Sequence, residues 1–281
     1  MKALGVDKPL IGVVHLAPLP GSPRYGGSMT TAVRRAREDA TAYLKAGIHA
    51  ILVENYGDAP FFAGPAPRET IAAMAAIARQ VRDLGRFPLG INVLRSDAEA
   101  AMAIAAAAEA DFIRVNVLAG TVLTDQGLIT GRAAETLRLR AALGATVEVW
   151  ADLLVKHARP LVAQEATEIA RDLVERAHAD ALIVTGPRTG SPADPEMLRP
   201  LARTAARVPR IVGSGITAEN LARYWSLADG FIVGSSLMQR GRAGGRVAPA
   251  RVQTLVEARR RLRRRVRRDA GPRSKGSRSK G

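Results

Sequence analysis

The chain contains no cysteine among its 281 residues. This absence excludes disulfide bonds, a cysteine nucleophile, thiolate zinc sites and Cys-ligated iron–sulfur clusters. No uninterrupted apolar run approaches the ~20 residues that a membrane-spanning helix needs. The first residues also lack the apolar core and cleavage site of a signal peptide. We therefore expect a cytoplasmic protein, with peripheral attachment to a membrane left open.

Positive charge is concentrated near one end of the chain. The formal net charge is +16, yet residues 259–281 hold 12 Lys/Arg and one acid and so account for +11. We predict a folded body over residues 1–258 and a basic, largely disordered tail over residues 259–281. Within the tail, residues 259–268 are expected to be the fraying end of the final helix and residues 270–281 to be disordered. Two interpretations of the tail stay open: a solvated extension, or a segment that binds nucleic acid or anionic lipid non-specifically.

Eight short apolar runs recur along the chain, with helical patterns between them. Most of the runs are continuously apolar, which is typical of parallel strands covered on both faces. Turn and capping residues predict that the second helix begins at Pro67, the third at Ser96 and the seventh at Thr217. The predicted strands are 9–15, 48–54, 87–94, 111–117, 146–153, 180–185, 210–213 and 229–234.

Strict alternation of strand and helix predicts an α/β protein with a parallel sheet. Eight such units and a body of this length favour a single (β/α)8 TIM barrel, which takes roughly 250 residues. A weak internal repeat supports the count, because Ala-Asp or Ile-His precedes four of the strands. An open doubly wound sheet is the alternative. His49, at the start of the second strand, is predicted to be structural.

Polar side chains follow nearly every predicted strand at its carboxyl end, where TIM barrels carry their chemistry. Buried polar groups cost free energy unless they are paired, so their gathering at one end suggests a site. The other interpretation is a hydrogen-bonded plug that closes the barrel. The residues concerned are His15, Glu54, Asn55, Asn92, Arg114, Asn116, Asp152, Thr185, Ser214 and Ser235.

Four of the charged or titratable residues are catalytic candidates. His15 and Asp152 can form an acid–base pair, or Glu54 and Asp152 can act as paired carboxylates. A core histidine bonded to a neighbouring carboxylate is the alternative for His15. Lys156 is the only lysine placed to reach the rim, either for a charge contact with substrate, which we favour, or for a Schiff base.

Glycine-rich turns after the last two strands predict a phosphate site. Residues 213–217 (GSGIT) lead into a helix, and residues 234–236 (GSS) follow strand eight. Phosphate-binding barrels use the loops after strands 7 and 8, so the pair is more specific than either turn alone. The predicted ligand contacts here are Gly213, Ser214, Gly215, Gly234 and Ser235.

No cofactor is predicted, since the chain has no Walker A, dinucleotide-binding GxGxxG or HExxH motif. Glu54, Asp58 and Asp152 offer oxygen ligands for Mg2+, but their spacing does not identify a metal site.

Four stretches resemble the signatures of the BtpA/SgcQ family, and together they extend from about residue 9 to 255. The resemblance implies a barrel of the ribulose-phosphate-binding type. The family takes its name from a cyanobacterial protein needed for stable accumulation of photosystem I. Met238 stands where family members often carry lysine, and the Arg-rich tail lies outside the family pattern. The stretches are residues 11–23, 52–61, 124–129 and 229–237.

Three functions stay open on this basis. The first is isomerase, aldolase or lyase chemistry on a small phosphorylated, sugar-derived compound. The second is a non-catalytic biogenesis factor for photosystem I or another membrane complex. The third makes the basic tail the functional part, binding nucleic acid or a membrane. Homo-oligomer formation is not decided by the sequence.

Overall fold

The computed structural model describes residues 4–269. The strands are β1 (Leu10–His15), β2 (Ala50–Glu54), β3 (Leu89–Asn92), β4 (Phe112–Val115), β5 (Thr121–Thr124), β6 (Gly127–Thr130), β7 (Glu148–Asp152), β8 (Ala158–Pro160), β9 (Ala181–Val184), β10 (Arg210–Val212) and β11 (Gly230–Val233). The α-helices are α1 (Met29–Ala46), α2 (Arg68–Arg82), α3 (Ala98–Ala107), α4 (Ala133–Ala142), α5 (Ala166–Arg171), α6 (Pro195–Thr204), α7 (Leu221–Tyr224) and α8 (Pro249–Asp269).

Eight strands close into a parallel barrel in the order β1-β2-β3-β4-β7-β9-β10-β11, and β11 pairs with β1. Each of these strands lies within a range predicted from the sequence. The (β/α)8 barrel is therefore confirmed, and the open sheet is excluded because the first and last strands are hydrogen-bonded to each other.

The barrel interior is filled by the inward-facing apolar residues of the strands. Phe112 and Trp150 stack there, with ring centroids 3.8 Å apart. Gly90 makes room for this pair, since a Cβ at that position would lie 2.2 Å from the Phe112 ring. The opposite strand faces pack against the helices in a second, larger apolar cluster. Burial on both faces explains the continuously apolar strands.

The alternation of side chains along a β-strand places polar side chains directly above this apolar interior cluster. Side chains alternate between faces, so a residue two positions after an inward-facing one also faces inward. Val13, Leu52 and Trp150 belong to the interior cluster. His15, Glu54 and Asp152 follow them by two positions each and end their strands.

The internal repeat has a structural cause. The residue just before a strand accepts, through its side chain, a hydrogen bond from a backbone N–H near the start of a neighbouring strand. Asp111 accepts from Leu89 at 2.8 Å, and Asp180 and Asp229 make the equivalent contact to β7 and β10. His49 Nδ1 accepts from the Leu10 N–H at 3.2 Å, which gives this histidine a structural role.

Two predicted helix starts are wrong. Helix α3 begins after Asp97, whose side chain accepts from the Ala100 N–H at 2.9 Å. Ser96 is unavailable as the cap because its hydroxyl bonds to the backbone of Val117. The seventh helix begins at Leu221 rather than Thr217, because Thr217 and Asn220 exchange side-chain to backbone hydrogen bonds that form a turn.

A small antiparallel sheet, β6-β5-β8, projects from the loops at the carboxyl ends of the barrel strands. This sheet is not among the elements predicted from the sequence. The available signal is two alternating runs that flank Asp125 and Gln126, with Gly127 at a φ of 106°. Such a two-residue turn followed by glycine is typical of a β-hairpin.

Helix α8 continues to Asp269, so residues 259–268 form the end of the final helix, as expected from the sequence. Arg259 is only 4% exposed and donates to the carbonyl groups of Asp7 and Lys8 at 2.5 and 2.6 Å. The folded body therefore extends past the predicted boundary at residue 258. The rest of the predicted tail, 270–281, lies outside the described residues. Within residues 4–269, no helix is both long and apolar enough to cross a bilayer.

Candidate ligand-binding site

A cavity of about 1020 Å3 opens at the carboxyl ends of the barrel strands. Most of the predicted site residues line it, on elements that come from all parts of the chain. Those on its wall are His15, Glu54, Arg114, Asn116, Lys156, Gly213, Ser214, Gly215, Gly234 and Ser235.

Four predicted site residues lie behind the cavity wall and hold it in place. Asn55 accepts from the Leu94 N–H at 2.7 Å and donates to Asp58. Asn92 donates to Asn116 and to a backbone carbonyl, each at 3.0 Å. The remaining two are Thr185, whose hydroxyl donates to the Leu154 carbonyl, and Asp152.

Asp152 forms a buried, two-pronged ion pair with Arg114. The Arg114 Nε and Nη2 atoms lie 3.0 and 2.9 Å from the two carboxylate oxygens, and Asn116 donates a third hydrogen bond at 2.9 Å. The Asp152 side chain has 0% exposure. This geometry fixes the guanidinium as a rigid, cavity-facing cation.

Glu54 lies between Arg114 and His15. Its Oε2 is 3.9 Å from Arg114 Nη1, and its Oε1 is 3.5 Å from His15 Nε2. The predicted neighbour of His15 was a carboxylate, and the structure places Glu54 there because β1 and β2 pair with His15 opposite Glu54. No ion pair joins His15 to Asp152 among the described residues.

The His15 ring is held in one tautomer. The Gly244 N–H donates to Nδ1 at 2.9 Å, so the proton of the neutral ring sits on Nε2 and points toward Glu54. Tyr56 stacks on the imidazole with centroids 4.4 Å apart. Burial lowers the pKa of His15 to about 4, although Glu54 opposes the shift.

We expect His15 to make stability depend on pH. Below pH 6.5 the unfolded chain protonates this residue, while the folded protein resists protonation down to about pH 4. The unfolded state then binds more protons, so the free energy of unfolding falls as pH falls through that window. The upper bound for this one histidine is about 3 kcal/mol. Urea denaturation at pH 7 and pH 4.5 should show a flatter profile for His15→Gln. Parallel profiles for the variant and the parent protein would contradict this assignment.

Lys156 lies in the loop after β7 and lines the cavity. Burial lowers its pKa from 10.5 to about 8, with a further contribution from Arg114. A fraction of the amine is therefore neutral near pH 8, so a charge contact and an imine are both chemically accessible.

The glycine turns 213–215 and 234–236 form one side of the cavity. Gly215 has a φ of 69°, and a Cβ there would lie 2.3 Å from the backbone of Pro192. Ser214 bonds to the backbone of Gly186 and Ser191, and Ser236 donates to the Ile216 carbonyl at 2.6 Å. Their hydroxyls hold the turns in place, and Ser235 lines the cavity beside them.

Sequence reasoning missed several cavity residues because they lie on loops rather than at strand ends. Arg95 follows β3, and Asp125 and Gln126 come from the β5–β6 turn. The signals for the turn were the hairpin pattern and the family-like stretch 124–129. The other missed polar or aromatic residues are Arg24, Tyr56, Phe61, His157 and Thr189.

The carboxylates considered for Mg2+ do not converge. Asp58 accepts from the Leu19 N–H at 2.8 Å and from Asn55, while Asp152 is paired with Arg114. Among residues 4–269, no three His, Asp or Glu side chains are grouped as metal ligands would be. The Mg2+ site considered from the sequence is therefore not formed by these side chains.

Residues 6–261 match the BtpA family model. The chain belongs to the BtpA family. It is 45% identical over 250 residues to the photosystem I biogenesis protein BtpA of Synechocystis, covering 89% of this chain and 87% of that protein. A relative from Pyrococcus abyssi is 47% identical over 251 residues, covering 89% of this chain and 95% of the relative. Met238, the departure from the family pattern, is 1% exposed and does not line the cavity.

Solved structures extend the likeness to the barrel as a whole. Phosphoribosyl anthranilate isomerase from Thermus thermophilus superposes with a TM-score of 0.55 at 17% identity, covering 90% of this chain and 99% of that one. At this identity the likeness concerns the fold alone, and function depends on the residues of the cavity.

Proposed function

We propose that the cavity binds a small phosphorylated, sugar-derived compound and carries out isomerase-, aldolase- or lyase-type chemistry on it. The observation that supports this most strongly is that two groups of residues with different chemistry line the same cavity. The glycine turns 213–215 and 234–236 lie on one side, and Glu54 with His15 lies on its wall. The first group suits an anion, and the second suits proton transfer.

The glycine turns supply backbone rather than side-chain donors. Glycine lets an anion approach the main-chain N–H groups closely, and barrels of this class commonly bind phosphate after their last two strands. The isomerase from Thermus thermophilus, which has this fold, is named for a phosphoribosyl compound. For this chain the same ligand class is part of the proposal.

Glu54 is the proposed acid–base group. It lies at the cavity wall, and Arg114 and the His15 Nε2–H flank its two oxygens at 3.9 and 3.5 Å. A carboxylate in this position can take a proton from a carbon or hydroxyl group of the ligand and return it elsewhere. Asp152 is assigned a positioning role through Arg114, because both its oxygens are already bonded. Lys156 contacts the ligand through its charge.

A non-catalytic biogenesis factor is the second candidate. The name of the Synechocystis relative favours it. Against it, a Pyrococcus relative is as similar to this chain, and its name does not refer to photosystem I. A barrel used only as a scaffold also has little need for Glu54, His15 and Lys156 around one cavity. The binding of nucleic acid or anionic lipid by the basic tail stays a separate proposal.

A substitution at Ser235 tests the phosphate site. Ser235→Asp places negative charge in the cavity beside the glycine turns, and we expect the affinity for inorganic phosphate to fall at least about tenfold by charge repulsion. Asparagine has nearly the same shape as aspartate but no charge, so Ser235→Asn should bind phosphate with an affinity within a few-fold of that of the parent protein. Isothermal titration compares the three. Equal affinities for Ser235→Asp and Ser235→Asn would place the phosphate elsewhere.

Gly215→Asp is a poor alternative test. Its added side chain would collide with the backbone of Pro192 and Ser191, so a loss of binding could come from misfolding.

A further inference from the structure

The cavity contains more positive charge than its proton-transfer groups and the phosphate turns explain. Arg114 is paired with Asp152. Arg95 and Lys156 line the same cavity, but neither forms an ion pair with a carboxylate anywhere in residues 4–269. Arg24 also lines it and donates to the Gly57 carbonyl, and Asp125 is a further carboxylate on the wall. Arg95 and Lys156 are therefore two cations of the cavity that form no ion pair within the described part of the protein.

These two cations lie close to each other and to Arg114. Arg95 donates a hydrogen bond to the backbone carbonyl of Lys156. Burial lowers the pKa of both side chains, and for Lys156 the charges of Arg114 and Arg95 add to the effect. Asp152 and Glu54 oppose the shift of each side chain without cancelling it.

The cationic cluster of Arg95, Lys156 and Arg114 raises the free energy of the folded protein when no anion is bound to it. Arg95 is only 9% exposed, and buried charge costs free energy unless it is paired. Like charges in one place add to that cost. A bound anionic group would remove both penalties, and the cavity-facing position of Arg95 and Lys156 makes them accessible to one.

Arg95 and Arg114 stand across the barrel from the glycine turns, and Lys156 lies between the two sides. Arg95 follows β3, Arg114 lies on β4, and Lys156 follows the adjacent β7. The glycine turns follow β10 and β11. Each of β3 and β4 is three or four positions from these strands, whereas β7 is two positions from β10 and three from β11. Arg95 is therefore placed to receive a group of the ligand other than the one at the glycine turns.

We propose that Arg95 and Lys156 form a second anion subsite, so that the ligand carries a phosphate at one end and a carboxylate or second phosphate at the other. The ligand class is thus a phosphorylated sugar acid or a sugar bisphosphate rather than a simple sugar monophosphate. This inference rests on the proposed function, since the first anion is the phosphate at the glycine turns. Arg95 is a specificity-determining residue in this account.

Selenate tests the two subsites independently, because it is a tetrahedral dianion whose selenium scatters X-rays anomalously. Crystals of the full-length protein soaked in selenate should show one peak at residues 213–215 and 234–236 and a second between Arg95 and Lys156. Lys156→Met and Arg95→Gln should each lose the second peak and keep the first. Lys45→Met removes the same charge from helix α1, away from the cavity, and should keep both.

The outcomes separate the two proposals. A peak at the glycine turns with none at Arg95 and Lys156 overturns the second subsite and leaves the proposed function standing. A second peak that persists in both Lys156→Met and Arg95→Gln also overturns it. A peak at Arg95 and Lys156 alone supports the cationic subsite and contradicts the phosphate site.

Discussion

Asp152→Asn is expected to lower the free energy of unfolding by about 3–5 kcal/mol, the cost of leaving one member of a buried ion pair alone. Arg114 would keep its charge inside the barrel while losing a carboxylate that bonds it at 2.9 and 3.0 Å. Equilibrium urea denaturation of the parent protein and the variant at pH 7 measures the difference.

Glu54→Gln is the matched control for this stability test. Glu54 lies farther from Arg114, at 3.9 Å, so its neutralisation should cost clearly less than that of Asp152. A stability of Asp152→Asn within about 1 kcal/mol of the parent protein would contradict the role of Asp152 in anchoring Arg114. Equal losses for the two variants would contradict the distinction between them.

Turnover should depend directly on Glu54 and only indirectly on Asp152. Once a substrate is found, Glu54→Gln should lower kcat at least ~100-fold, the lower range for acid–base groups. Substrate affinity should change little, because the amide keeps the shape of the carboxylate and the glycine turns are untouched. Steady-state kinetics with a folded variant gives both parameters.

Asp152→Asn should also lower turnover, because Arg114 would lose the carboxylate that holds it in position. Its effect should therefore include weaker substrate binding. Full activity of Glu54→Gln would remove Glu54 from the mechanism. A wild-type KM for Asp152→Asn would remove its positioning role.

The barrel was predictable because its signal is local. Each strand is a continuous apolar run, and the strand period places the next polar residue on the same inner face as the apolar plug. His15, Glu54 and Asp152 were found from that rule alone. The same rule indicated the glycine turns, since they end the last two strands.

The pairing of these side chains was not predictable, because it depends on strand register. Sequence left open whether His15 would face Asp152 or another carboxylate. The β1–β2 register sets His15 beside Glu54, and the β4–β7 pairing brings Arg114 to Asp152. Arg95 was missed for another reason, since its position depends on a loop.

The most direct test of the account is thermal unfolding of the full-length protein with a panel of sugar phosphates, sugar bisphosphates and phosphorylated sugar acids. Each is paired with its unphosphorylated parent. A ligand at 100 times its Kd stabilises the folded state by about 2.7 kcal/mol, so a specific ligand should raise Tm by several degrees. We expect that at least one phosphorylated compound raises Tm in this way, that its unphosphorylated parent does not, and that Ser235→Asp removes the shift. If no phosphorylated compound raises Tm more than its parent, the proposal that the cavity recognises phosphate is contradicted.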